Sequence, residues 1–419
     1  MSFGRKNSKS TFLIFSWALY DLANQFFALN VIALYFPLWL TIEKNTPEIF
    51  YSIAFGISMI FVALCAPVLG VISDAIQRRK IFLIYFTFLS IVFTIGLGFS
   101  VNVFIALLFF VIANFGCQAA VVFYNALMVD VVKEGRIGFV SGLGRMCGYS
   151  GALIALYSSK PIIAKFGYQA TFLLTGILFF IFSLPCMLFV REQKVNVSQS
   201  LLQALGKIKL KDVFKKLRNT AFNTSNPSGF NNFLKAAFFW LCAVNAIILF
   251  MSVYVTKVFD LGEAQVIDLL VFSTFFAILG SIFSGFLCDR IGYKRSLNLA
   301  FFLWGICIIT GALLSPPFHW LIGALAGLSL GATWVIFRAA VIELVPEQNM
   351  GQAFGLFNLA GYAAGVMGSL FWGLMVLSLS FLGHWGHRLT LLGLILFIGL
   401  GFFFFRKVPD EGVKLEQYF

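Results

Sequence analysis

Apolar residues in this chain run in long blocks instead of recurring at the spacing of a half-buried helix. Residues 81–112 are such a block, with their clearest polar break at Ser100–Asn102. About 20 apolar residues suffice to cross a bilayer as a helix. In hydrocarbon every backbone N–H and C=O must find its partner within the segment, so blocks of this kind predict helices and not strands. Twelve blocks can be traced, near 12–39, 50–73, 81–99, 103–130, 138–158, 168–190, 235–256, 266–288, 296–314, 318–344, 352–379 and 389–406. The pattern therefore predicts an all-α membrane protein with twelve transmembrane helices. One polar stretch, Arg191 to Lys235, leaves six helices on each side. The expected organisation is a six-helix bundle over 1–190, a linker over 191–234 and a second six-helix bundle over 235–419. Within the linker, Leu202, Leu205, Leu210, Val213, Phe214 and Leu217 share one face of a helix over 201–217, and Lys207, Lys211, Lys215 and Lys216 occupy the rest. That segment is expected either to lie on an anionic membrane surface or to be a solvated connector.

The two halves repeat each other. GVISDAIQRRK (Gly70–Lys80) follows the second block and GFLCDRIGYKR (Gly285–Arg295) the eighth. Each places Asp four residues after Gly (Asp74, Asp289) and then a basic cluster with Arg78 and Arg79, or Arg290. Aligning Asp130 with Glu343 brings Gly138, Gly142, Leu143, Gly148 and Tyr149 onto Gly351, Gly355, Leu356, Gly361 and Tyr362, and Asn125 onto Arg338. Two matches in the same order imply a duplicated six-helix unit, a known plan for transporters.

Composition agrees and narrows the class. Of the 419 residues 60% are hydrophobic and 11% charged, against about 25% charged in soluble domains. The net charge of +13 would suggest nucleic acid on a soluble chain, but its distribution follows topology instead. With the N-terminus inside, 23 of the 30 Lys and Arg fall in cytoplasmic segments and 5 in outer loops. This positive-inside bias predicts cytoplasmic termini. The first block carries Asp21, Asn24 and Gln25 and lacks a small-residue cleavage site, so it is expected to be a transmembrane helix and not a cleaved signal peptide. The seven cysteines form no CxxC pair and imply neither disulfides nor a metal centre. His384 and His387 in HWGH are too few for a metal site. No nucleotide loop, nucleophile motif or HExxH is present, so no enzyme, cofactor or nucleic-acid role is expected.

Charged and amide side chains within spanning helices are costly and mark functional positions. Asp21, Asn24 and Gln25 share a face of helix 1, and Asn114, Gln118 and Asn125 share a face of helix 4. Arg145 stands on helix 5 with Tyr149, Asn245 on helix 7, and Trp334 and Arg338 on helix 10. Asp21 and Arg145 lie at comparable depth and are expected to pair. A carboxylate in low dielectric takes up a proton unless a cation is near. Such a pair is therefore either a permanent structural link or an exchangeable one that couples transport to protons. Arg338 suits a substrate carboxylate.

The Gly70–Lys80 segment resembles the helix 2–3 loop motif of the major facilitator superfamily, departing from it where Gln77 or Arg78 replaces a common second Gly. The resemblance implies a conformational latch. Asp74 would accept from the N-terminus of helix 11, and Arg78 or Arg79 would pair with Asp130 at the end of helix 4. Gly70, Gly285, Asp289, Arg290 and Glu343 would complete the latch and its repeat. It also implies that helices 1, 4, 7 and 10 line the transport path. SWALYDLAN (Ser16–Asn24), YNALMVD (Tyr124–Asp130), GRIGFVSGLGRMCGYSG (Gly135–Gly151), FRAAVIELVP (Phe337–Pro346) and FGLFNLAGYAAG (Phe354–Gly365) resemble the vacuolar amino-acid effluxer family of autophagy and its bacterial relatives. The expected function is secondary transport of a small polar solute, an amino acid or similar zwitterion, by alternating access, with protons and membrane lipids as further partners and a monomeric state. Asp21 would meet the ammonium and Arg338 the carboxylate. The alternatives are efflux of drugs or amphipathic compounds, and a non-transporting membrane receptor. A bacterial inner membrane is the expected location.

Overall fold

The computed structural model describes residues 2–132, 136–192, 229–314 and 317–410. The postulated amphipathic helix over 201–217 lies outside them. Among the described residues there is no strand. Eleven helical stretches among the described residues are long and apolar enough to span a membrane, one of them Ile137–Phe189 with 53 residues. A straight helix of that length would run about 80 Å, far more than the hydrocarbon thickness of about 30 Å. Gly167, at φ 77° and ψ 179°, breaks it into two helices. Twelve spanning helices result: α1 (Ser2–Phe27), α2 (Glu48–Ile76), α3 (Arg79–Phe99), α4 (Val103–Ala126), α5 (137–166), α6 (168–189), α7 (Phe230–Phe259), α8 (Glu263–Ile291), α9 (Tyr293–Leu313), α10 (His319–Leu344), α11 (Met350–Ser378) and α12 (His384–Phe405).

The chain divides into two compact units. The first is Met1–Glu134, Leu143–Phe214 and Glu347–Gly355; the second is Gly135–Gly142, Lys215–Pro346 and Leu356–Phe419. Each unit thus takes in one helix start from the other half of the sequence, α11 in the first and α5 in the second.

Lipid tails are as apolar as leucine, so helices in a membrane associate through close packing and buried hydrogen bonds. Both devices hold the first unit. Gly116 on α4 brings the backbone of α3 so near that a Cβ there would lie 2.9 Å from Phe86 O and Ser90 N. Asn114 Nδ2 donates to Ser58 Oγ across α4 and α2 at 2.7 Å. The first spanning helix continues past α1 as a π-helix, Ala28–Ala33, in which buried Asn30 donates to Thr175 Oγ1 on α6 at 2.9 Å. In the second unit α8 packs along α10, and a side chain at Gly331 would strike Ala277 O at 2.2 Å. The first turn of α12 closes over α9: buried Arg388 donates to Ala312 O at 2.6 Å and Leu314 O at 3.1 Å, satisfying carbonyls that a helix end leaves open.

Candidate functional site

A polar cluster forms in the first unit where α1 meets α5. Gly151 admits the α1 backbone, since a Cβ there would lie 2.6 Å from Leu22 O. That approach sets Asp21 against Arg145, with Arg145 Nη1 3.5 Å from Asp21 Oδ1. The Asp21 side chain is 4% exposed and that of Arg145 15%. The Arg145 guanidinium also lies 5.1 Å from the centre of the Tyr149 ring, within cation–π range. Gly148 leaves room beside both: a Cβ there would meet Asp21 Cγ at 3.3 Å and Gln25 Cγ at 3.5 Å. Asp21 stands ten residues into the span that begins at Thr11, about 15 Å along the helix.

Around this centre the other candidates scatter. Asn24 Oδ1 accepts from Cys117 Sγ on α4 at 2.9 Å. Gln118 is half-buried on α4. Asn125 is buried, and no partner meets its Oδ1 among the described residues. Asn114 is fully enclosed, its amide committed to Ser58. In the second unit, Asn245 Nδ2 donates to Gly361 O across α7 and α11 at 3.3 Å. Arg338 is buried on α10 at 7% exposure, one turn after half-buried Trp334. Phe337, beside Arg338, packs on Phe233, Trp240 and Phe357. One feature carried no charge signal in the sequence: Trp17, Tyr20 and Tyr124 stack with ring centres 4.6 and 4.8 Å apart, and Trp17 Nε1 donates to Tyr124 O. Their position within SWALYD and YNALMVD was the available clue. Among the described residues no group of three His, Cys, Asp or Glu could hold a metal ion.

The repeated Asp residues form two matching helix caps. In the first unit Asp74 Oδ1 accepts from Gly351 N at 3.0 Å and Oδ2 from Gln352 N at 2.8 Å, at the start of α11. In the second, Asp289 accepts from Gly138 N at 2.6 Å and Phe139 N at 2.8 Å, at the start of α5. A carboxylate at a helix N-terminus satisfies open N–H groups and complements the dipole. The glycines are required by proximity: a Cβ on Gly70 would lie 2.3 Å from Gly351 O, and one on Gly138 2.4 Å from Gly285 O.

The basic clusters differ from the expected arrangement. Arg79 is buried and its Nε lies 3.0 Å from Asp74 Oδ1, so its ion pair is within its own motif and not with Asp130. Its Nη2 also donates to Glu347 O. Arg78 is exposed, and so is Arg290; Asp130 and Glu343 are half-buried. In the repeat, Lys294 occupies the place of Arg79 but pairs with Asp410 at 3.1 Å. Asp74 therefore holds two amides and a buried cation, whereas Asp289 has no ion-pair partner among the described residues. The α2–α3 turn is also tied to the end of α6. Glu192 Oε1 accepts from Lys80 N at 3.1 Å, and Lys80 Nζ donates to Val190 O at 2.6 Å. Burial pushes the Glu192 carboxyl above its ordinary range, against the pull of the Lys80 and Arg79 backbone amides.

Gln77 occupies the left-handed region, φ 51° and ψ 42°, as the C-cap of α2. Its counterpart Gly292 has φ 81°. A non-glycine residue there carries steric strain of about 1 kcal/mol. Gln77→Gly is expected to keep or raise the melting temperature in detergent, and Gln77→Val to lower it. Equal melting for both variants would show that the turn is not held in this conformation.

The sequence profile of the Major Facilitator Superfamily matches residues 22–369, with a second match over 237–417. The chain belongs to this superfamily. It is an integral, multi-pass membrane transporter working by alternating access, and not an enzyme. Relatives span nearly the whole chain: an uncharacterized protein of Aquifex aeolicus is 27% identical over 96% of this chain and 97% of its own length. The uncharacterized MFS-type transporter YxiO of Bacillus subtilis is 26% identical over 94% of each. The multi-drug resistance efflux pump PmrA of Streptococcus pneumoniae is 25% identical over 77% of this chain and 78% of its own. Among solved structures, the superfamily transporter FucP in the outward conformation has a TM-score of 0.72 at 14% identity, covering 96% of this chain and 98% of its own. The human organic anion transporter MFSD10 has 0.72 at 15%, over 96% and 99%. At these identities the structures speak for the fold alone.

Proposed function

We propose that this superfamily member exports a small polar metabolite, an amino acid or similar zwitterion, across a bacterial inner membrane, with Asp21 coupling export to protons. The observation that carries the proposal is the Asp21–Arg145 pair, a buried carboxylate about 15 Å into α1 facing a mostly buried guanidinium on α5, charges that are costly within spanning helices and mark a candidate functional position. At 3.5 Å the pair is long for a charge-assisted hydrogen bond, which suits a contact exchanged during the cycle. Arg338, buried on α10, is our candidate for carboxylate recognition. The SWALYDLAN and FRAAVIELVP segments, with their likeness to the vacuolar amino-acid effluxers, support this cargo class. The positive-inside distribution supports cytoplasmic termini, and the proposed working unit is a monomer of the bundles over 1–190 and 235–419.

The experiment is counterflow in proteoliposomes with a pooled amino-acid mixture and mass-spectrometric readout. Wild type is expected to exchange one or a few amino acids. Asp21→Asn, which cannot take up a proton, is expected to keep exchange and to lose gradient-driven transport by more than tenfold. Absence of any amino-acid exchange by correctly inserted protein would end the assignment. A second reading, efflux of amphipathic compounds, is favoured by the similarity to PmrA. Dye efflux from everted vesicles, insensitive to amino acids, would select it.

A further inference from the structure

Away from the polar cluster, the second unit gathers cations where α12 ends beside the start of α7. Lys235 on α7 places its Nζ 5.8 Å from the centre of the Phe404 ring. Lys407, just past α12, places its Nζ 6.0 Å from the same ring and 4.6 Å from Phe403. Arg406 stands exposed between them in sequence. Two ammonium groups from distant parts of the chain thus lie against one aromatic ledge. The turn that carries Arg406 and Lys407 is fixed: Val408 is buried and Tyr293 Oη donates to Pro409 O at 2.6 Å. Asp410, the acid on that turn, is 3.1 Å from Lys294. Among the described residues no carboxylate pairs with Lys235, Arg406 or Lys407.

We propose that this patch is a binding site for the headgroup of an anionic phospholipid such as phosphatidylglycerol. A positive-inside bias accounts for cations in these segments, but not for the convergence of Lys235 and Lys407 on one ledge with no carboxylate paired to them among the described residues. The phosphodiester supplies the missing charge and accepts hydrogen bonds from ammonium and guanidinium groups. Phe403, 54% exposed, and Phe402, 40% exposed, stand in the last turn of α12 and offer an apolar surface for an acyl chain. The site depends on the chain spanning a membrane and not on the proposed cargo.

Native mass spectrometry of the full chain in detergent, with equal phosphatidylglycerol and phosphatidylcholine, tests the proposal. Wild type is expected to retain phosphatidylglycerol in preference, by about fivefold for each cation engaged. K235Q/K407Q removes both charges; its preference is expected to fall at least tenfold. K235R/K407R is expected to retain it. A wild type without preference, or a folded K235Q/K407Q variant that keeps the wild-type preference, would overturn the assignment. Loss in the arginine variant as well would assign the effect to lysine packing and overturn it too.

Discussion

Asp74→Ala is expected to abolish transport and to lower stability by about 3–5 kcal/mol. Three bonds end on this one carboxylate: the amides of Gly351 and Gln352 and the guanidinium of Arg79. Removing it leaves two N–H groups at the start of α11 without a partner and a buried cation without its anion. The Asp289→Ala variant removes a carboxylate that holds two amides. Its expected loss is smaller, about 1.5–3 kcal/mol. Because the two positions correspond in the internal repeat, the difference reads what Arg79 and the deeper burial of Asp74 add together. Thermal unfolding of the purified chain in detergent reads the stability, and flux into proteoliposomes reads the function. Equal destabilisation by the two substitutions would refute the asymmetry. Full transport by Asp74→Ala would remove the latch role altogether. Asp74→Asn is expected to rescue little, since one oxygen becomes a donor facing donors.

The spanning helices were legible in the sequence, whereas the Asp74 cap on α11 was implied by the family resemblance and the Asp289 cap on α5 comes from the structure. Hydropathy reads desolvation directly, and the repeated Gly-x-x-x-Asp reports the duplicated unit, within which the structure shows two matching backbone approaches. The features that hydropathy and spacing do not report have equally physical causes. The π-helix at Ala28–Ala33 shifts hydrogen bonds by one residue without changing the apolar run, so hydropathy is blind to it. The apolar blocks end near 158 and resume near 168, yet the chain stays helical through 137–189 except at Gly167, because a helix need not stop at the membrane surface. The buried block over 103–130 is interrupted at Leu127 before a short turn, Met128–Val131, for which no Gly or Pro gives warning. Arg79 pairs with Asp74, five residues before it, where the resemblance implied Asp130. Asn114 reads as a polar residue on a path-lining face, but its amide is committed to Ser58. Spacing assigns a face to a helix and cannot say which neighbour that face meets.

The Asp21–Arg145 pair can be resolved into its two possible roles by a double-mutant cycle. Arg145→Ala leaves Asp21, 3% exposed, without its cation. Breaking a buried pair costs about 3–5 kcal/mol; the 3.5 Å separation and the partial exposure of Arg145 place this case at the low end. Transport is expected to fall at least a hundredfold. Adding Asp21→Asn removes the stranded charge, so the double variant is expected to recover more than half of the lost stability. Function then discriminates. If the pair only fixes α1 against α5, restoring stability restores both exchange and gradient-driven transport. If Asp21 is the proton carrier, the double variant recovers melting temperature and exchange but stays unable to accumulate substrate against a gradient. Recovery of gradient-driven transport in the double variant would remove Asp21 from the coupling mechanism, whatever the cargo. Continued inactivity in exchange, with stability restored, would instead make Arg145 itself part of substrate recognition, since its loss alone would then block binding.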